Sequence, residues 1–98
     1  MHPAHHLARQ QSLAHATVPP GTRTLYHRHQ TSEEIYHFLA GRGTMRWDGR
    51  TWPVTAGDTV VIPPGTAHGL INDSDDDLVL LCACSPAYHD EDTVAVDE

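Results

Sequence analysis

The stretch Gly21 to Gly41 reads GTRTLYHRHQTSEEIYHFLAG, and both the fold and the chemistry turn on it. Its centre is His27-Arg28-His29, followed by Glu34. Side chains alternate faces along a strand, so His27 and His29 set two imidazoles side by side. Glu34 follows the short polar stretch Gln30-Thr31-Ser32-Glu33, which can bring its carboxylate to the same place. Two neutral imidazoles and a carboxylate suit Zn, Fe, Ni or Mn better than Mg or Ca, which prefer oxygen. A lone His-x-His pair also fits a plain polar strand face. The rest of the chain has to decide.

Outward from that centre, short period-two segments alternate with Gly/Pro turns. Gln11 to Val18 reads as a strand closed by Pro19-Pro20-Gly21. Thr22 to His29 alternates as one strand, with Arg23, Leu25, His27 and His29 on one face and Thr22, Thr24, Tyr26 and Arg28 on the other. Glu34 to Leu39 is rich in β-formers, and its parity sets His37 facing away from Glu34 as a surface histidine. Gly43 to Trp47 and Arg50 to Val54 flank Asp48-Gly49, a two-residue hairpin signal. Thr59 to Ile62 ends at Pro63-Pro64-Gly65, and His68 to Asn72 is stopped by the cluster Asp73, Asp75, Asp76 and Asp77. Leu78 to Cys84 is apolar at successive positions, which predicts a strand buried on both sides. No helical period survives, and many short strands between turns predict an all-β sandwich or barrel.

Ninety-eight residues hold one small core, so we expect a single domain over 1–98. Its core would cover about residues 12–86, with an N-terminal arm at 1–10 and an acidic tail at 87–98. Of that tail only Val94 and Val96 invite burial, so it is expected either to pack as an edge or to stay mobile. The net charge is −7, all six cations are Arg at or before Arg50, and ten of thirteen acids lie at or after Asp58. That balance argues against nucleic acid, which needs a dense basic face. The Asp cluster reads as a solvated turn, and Glu33 as a solvated neighbour of Glu34. No apolar run is long enough to span a membrane, and the start lacks the apolar centre of a signal peptide, so the expectation is a cytoplasmic protein. Cys82 and Cys84 fall on the same side of one strand, a poor geometry for a disulfide, and we expect both thiols reduced. His2, His5, His6, His15 and His89 have no ligand spacing.

Gly57 to Asn72 reads GDTVVIPPGTAHGLIN, and with it the chain resembles the cupin family. The family's first motif is a glycine, an HxH pair, a glutamate and a glycine; Gly21, His27, His29, Glu34 and Gly41 fill it. Its second is a glycine, PxG, a histidine and an asparagine; Gly57, Pro63, Gly65, His68 and Asn72 fill that. The resemblance covers about half the chain. It implies a double-stranded β-helix, or jelly-roll, cupin barrel holding one divalent transition metal ion (Fe, Mn, Ni, Zn or Co), with His27, His29, Glu34 and His68 as ligands. Such a set leaves an octahedral ion two open positions for water or substrate.

Around that centre Arg23, Tyr36, Met45 and Trp47 are candidate wall residues, each read as packing rather than catalytic. In similar small cupins the strand corresponding to Leu78–Cys84 lines the pocket, which would set Leu80 and Cys82 against a ligand. Read from burial alone, the cysteines are small hydrophobes, and we favour that reading. The resemblance implies a small-molecule substrate and a homodimer with Gln11 to Val18 near the interface. Fold and ligands do not choose the reaction. Our first expectation is an Fe(II)- or Mn(II)-dependent oxygenase-type enzyme. The alternatives are a sugar or sugar-acid isomerase or epimerase, and a non-catalytic metal-dependent binding or sensor module.

Overall fold

Period-two alternation carries through to ten strands and no α-helix in the computed structural model, which describes residues 11–86 and 92–96. The arm at 1–10, His2, His5, His6, His89 and most of the acidic tail lie outside the described residues. In chain order the strands are β1 (Ser12–Val18), β2 (Thr22–Arg23), β3 (His27–His29), β4 (Glu33–Ala40), β5 (Arg42–Trp47), β6 (Arg50–Thr55), β7 (Thr59–Ile62), β8 (His68–Asn72), β9 (Leu78–Ser85) and β10 (Thr93–Ala95). They form two antiparallel sheets, β1-β9-β4-β7 and β10-β3-β8-β5-β6, with β2 also paired to β8. This is the jelly-roll arrangement of a double-stranded β-helix.

The core lies between the sheets. On β4 the inward set is Glu34, Tyr36 and Phe38, and on β9 it is Leu78, Leu80, Cys82 and Cys84. Register sets Glu34 opposite Cys84, Tyr36 opposite Cys82 and Phe38 opposite Leu80. Phe38, Met45 and Leu78 are fully enclosed. Polar Glu34 thus sits at one end of an otherwise apolar inward row.

The expectation for β9 needs correction. Its outer positions, Val79, Leu81 and Ala83, are half-buried rather than enclosed, because no second layer covers that face among the described residues. A second correction concerns Thr22 to His29, which is two strands separated by an irregular segment at residues 24–26. Parity changes there: Thr24 turns inward, Leu25 is 61% exposed, and Tyr26 is buried. Part of the tail packs as an edge, one of the two outcomes expected for it: residues 93–95 pair with β3. The correction is to burial, since Asp92, an acid rather than a valine, is the buried side chain.

Turn chemistry follows the sequence. Asp48 and Gly49 both have positive φ, 45° and 82°, between the paired residues Trp47 and Arg50, as a two-residue hairpin of right-handed strand twist requires. The hairpin is fastened to the segment before His68 by Asp48 N–H to Ala67 O (2.9 Å) and Ala67 N–H to Asp48 Oδ1 (3.2 Å). Gly41 has φ +82° and lies so close to the Asp77 carbonyl that a Cβ there would clash. Both demands select glycine. Asp73, Asp75, Asp76 and Asp77 are exposed, as a solvated turn should be.

Candidate metal centre

Three strands deliver the four sequence-predicted ligands to one place. His27 and His29 come from β3, Glu34 from β4 and His68 from β8, and their ligand atoms all lie within 4.8 Å of one another. Antiparallel register sets His27 directly opposite His68, with ring centroids 4.5 Å apart. The His27 and His29 rings are 5.0 Å apart, edge to face. His68 is fully enclosed, His29 and Glu34 are buried, and His27 is half-buried.

The outer nitrogens of the rings show why this set fits a metal. His27 Nδ1 is 2.7 Å from Leu25 O and His68 Nδ1 is 2.9 Å from Thr66 O, so each Nδ1–H donates to a backbone carbonyl. His29 Nδ1 is 3.1 Å from Thr93 Oγ1. With Nδ1–H engaged, Nε2 is the atom left to meet a metal; on His29 and His68 it is turned inward and, without a metal, makes the hydrogen bond to Glu34. Glu34 Oε1 is 3.1 Å from His29 Nε2 and 2.8 Å from His68 Nε2. Three nitrogens and a carboxylate converging in this way are a donor set for a borderline transition ion.

Electrostatics agree. Burial alone would raise the Glu34 carboxyl, but hydrogen bonds from His29 and His68 outweigh it and hold the group down at about 2. The carboxylate is therefore ionised at any working pH. Burial lowers His27, favouring the neutral ring a metal needs. His29 is raised, chiefly by its hydrogen bond to Glu34. Burial pushes the Cys82 and Cys84 thiols up to about 12, helped by the Glu34 charge, so both stay protonated. Cys84 Sγ lies 3.5 Å from Glu34 Oε2 as a weak donor, and neither cysteine is in a disulfide.

A cavity of about 190 Å³ opens beside the cluster. Of the expected wall residues, Tyr36, Leu80 and Cys82 line it, together with His27, His29 and Glu34. Thr24, Val18 and Leu70 line it as well; sequence parity had set Thr24 on the opposite face. Arg23 is exposed, Met45 is enclosed in the core, and Trp47 is half-buried against Trp52, and none of the three is part of the lining. Tyr36 stands with its ring 5.7 Å from that of His68, and burial raises its hydroxyl well above the ordinary range. His37 faces outward, as expected, with Nδ1 2.8 Å from Thr59 Oγ1. A larger hollow, about 550 Å³ around Arg42, Pro53 and Asp73, is remote from these ligands.

The second motif also explains itself locally. Gly65 N–H donates to His29 O (2.7 Å), so the Pro-x-Gly turn holds the strand that carries two of the candidate ligands. Asn72 is enclosed and fully engaged: Nδ2 donates to Val18 O and Asp76 O, and Oδ1 accepts from Ser74 N–H and Oγ. It is a structural residue. Sequence reading missed Asp92, whose carboxylate accepts from Thr31 N–H (2.8 Å), Thr31 Oγ (2.7 Å) and Ser32 N–H (3.1 Å).

Residues 14–84 match the family model described as the cupin domain. The chain is a cupin. It is 47% identical over 93 residues to an uncharacterized protein of Methanocaldococcus jannaschii, covering 95% of this chain and 74% of that one. It is 34% identical over 69 residues to an oxalate-binding protein of Thermotoga maritima, covering 70% of this chain and 57% of the relative. A solved Klebsiella pneumoniae protein with a double-stranded β-helix domain superposes with a TM-score of 0.84 at 16% identity, over 93% of this chain and 78% of that one. At that identity the last likeness speaks for the fold.

Proposed function

We propose that this cupin holds one divalent transition metal ion on His27, His29, Glu34 and His68 and acts on a small organic molecule. The observation that carries the reading is the convergence of the four side chains beside a largely apolar cavity, three of them, His27, His29 and Glu34, at its wall. The bound ion would supply Lewis acidity or redox chemistry and two open positions. The chain's own residues do the rest. Val18, Leu70 and Leu80 exclude water from one side, and Tyr36 stays a neutral phenol able to donate a hydrogen bond.

Size and charge narrow the ligand. At about 30 Å³ per water, the cavity has room for about six waters or a ligand of similar bulk. No cationic side chain is among the described residues lining it, so a phosphorylated sugar would meet apolar wall where its phosphate needs Arg or Lys. We therefore place an Fe(II)- or Mn(II)-dependent oxygenase-type activity on a small, apolar-bodied molecule ahead of a sugar isomerase. The test is oxygen uptake by Fe(II)- or Mn(II)-loaded protein across small phenols, diketones and hydroxy acids, with aldose–ketose interconversion assayed in parallel. Oxygen-dependent turnover is expected. Isomerisation of a sugar phosphate without oxygen uptake would overturn this ordering.

The oxalate-binding relative favours a second reading, a non-catalytic module that captures a small carboxylate on the metal. Tight oxalate binding by the metal-loaded protein, with no turnover in either assay, would select it.

A further inference from the structure

We propose that Asp92 and Thr93 are positioning residues of the metal centre, so that the segment at the start of β10 completes the site. The inference rests on the metal reading above. It begins with the turn that joins two ligands, His29 and Glu34. Three successive backbone N–H groups of that turn, those of Gln30, Thr31 and Ser32, all donate to Asp92: the first to its carbonyl oxygen (2.8 Å), the others to its carboxylate. Thr31 Oγ adds a further bond to the same carboxylate (2.7 Å). Asp92 is 5% exposed and its bond from Ser32 is buried, while Gln30 and Thr31 lie at the surface. A turn held at every N–H fixes the separation and direction of the ligands at its two ends.

Thr93 acts on one ligand directly. Its Oγ1 lies 3.1 Å from His29 Nδ1, and the β10–β3 register sets the two residues opposite each other. A hydroxyl at that place accepts from Nδ1–H and keeps Nε2 turned toward Glu34, where a metal would take the place of the shared proton. His27 and His68 obtain the same service from backbone carbonyls in their own loops, which no substitution removes. The His29 Nδ1 bond, by contrast, goes to a side chain, that of Thr93, 64 positions along the chain. Partners of this kind are worth about tenfold to a hundredfold in metal affinity.

Asparagine at 92 keeps the shape but offers one acceptor, and its amide hydrogens oppose the N–H groups of the turn. Valine at 93 keeps the shape and loses the hydroxyl; serine retains it. The experiment measures the dissociation constant for Co(II) by competition with a chromophoric chelator, in wild type, Thr93→Val, Thr93→Ser and Asp92→Asn. Visible spectra of the bound Co(II) and melting curves of the chelated proteins accompany it. Expected are weaker binding by about tenfold or more in Thr93→Val and Asp92→Asn, a changed Co(II) spectrum in Thr93→Val, and near wild-type behaviour in Thr93→Ser. Thr93→Val carries the test if Asp92→Asn does not fold. Lower melting temperatures with unchanged Co(II) affinity and spectrum would overturn the inference and leave both residues merely structural. Wild-type protein that takes up no Co(II) would overturn the metal reading itself, and this inference with it.

Discussion

His29 answers to two opposed demands. Its hydrogen bond to Glu34 raises its affinity for a proton above the ordinary 6.5, whereas a metal needs the ring neutral. In the metal-free protein the resulting stabilisation is complete below 6.5 and is lost as pH rises through the raised folded value. Glu34 runs the other way: its contribution is complete above 4.5 and is lost as pH falls through about 2. Metal binding displaces the proton shared by this pair, so the bound state holds fewer protons and acid favours the empty site. The difference in melting temperature between metal-loaded and chelated protein should therefore be large near about pH 7.5 and much smaller near about pH 5.5. An equal difference at both would exclude histidine ligation. Glu34→Gln should weaken metal binding less than loss of a histidine, since an amide oxygen still coordinates without bringing charge; equilibrium dialysis compares them. All four residues of the candidate site were legible in the sequence because each sits at motif spacing on a strand. Asp92 was not, because its partner Thr31 lies 61 positions away and an acid in an acidic tail carries no local signal.

Strands were legible where alternation is uninterrupted, as in β4 with Glu34, Tyr36 and Phe38 inward, and β5–β6 around Asp48-Gly49. They were misread where the chain leaves the ladder. At residues 24–26 the Thr24 hydroxyl accepts from Leu70 N–H (2.8 Å), and Tyr26 is drawn under the hairpin, where its hydroxyl accepts from Gly49 N–H (3.1 Å) and Arg46 stacks on its ring. Those long-range bonds break parity, which is why Arg23 and Leu25 do not share the face of His27. The apolar run of β9 misled in another way, since composition does not say whether a second layer covers the outer face. Asn72 gives the prediction at this scale. Asn72→Ala would leave the buried Val18 carbonyl and the half-buried Ser74 N–H without these partners. At about 1–3 kcal/mol for a buried group left unpaired, a loss of about 3 kcal/mol in denaturant melts is expected. A change below about 0.5 kcal/mol, typical of a surface site, would contradict the structural role given to it.

For the whole molecule, the outer face of the β1-β9-β4-β7 sheet carries a row that runs across all four strands in register: Leu13, Ala83, Ile35 and Val61. Leu13 and Val61 at its ends are 49% and 51% exposed. A barrel of this length buries a limited share of its surface, and such a row can meet its own copy across a two-fold axis. We propose a homodimer through this face, with β1 at its edge. Sedimentation at micromolar concentration should give a dimer, and Leu13→Glu with Val61→Glu should give a monomer that still folds; monomeric wild type would remove the proposal. The barrel could be read from sequence because the two motifs fix which strands face each other, while the closing of the metal centre by the chain's far end could not. The central claim, that His27, His29, Glu34 and His68 together hold one metal ion, is tested most directly by elemental analysis of protein purified without chelator or affinity tag. About one divalent transition ion per chain is predicted in wild type, and almost none in His68→Ala. Full occupancy in His68→Ala would contradict the account.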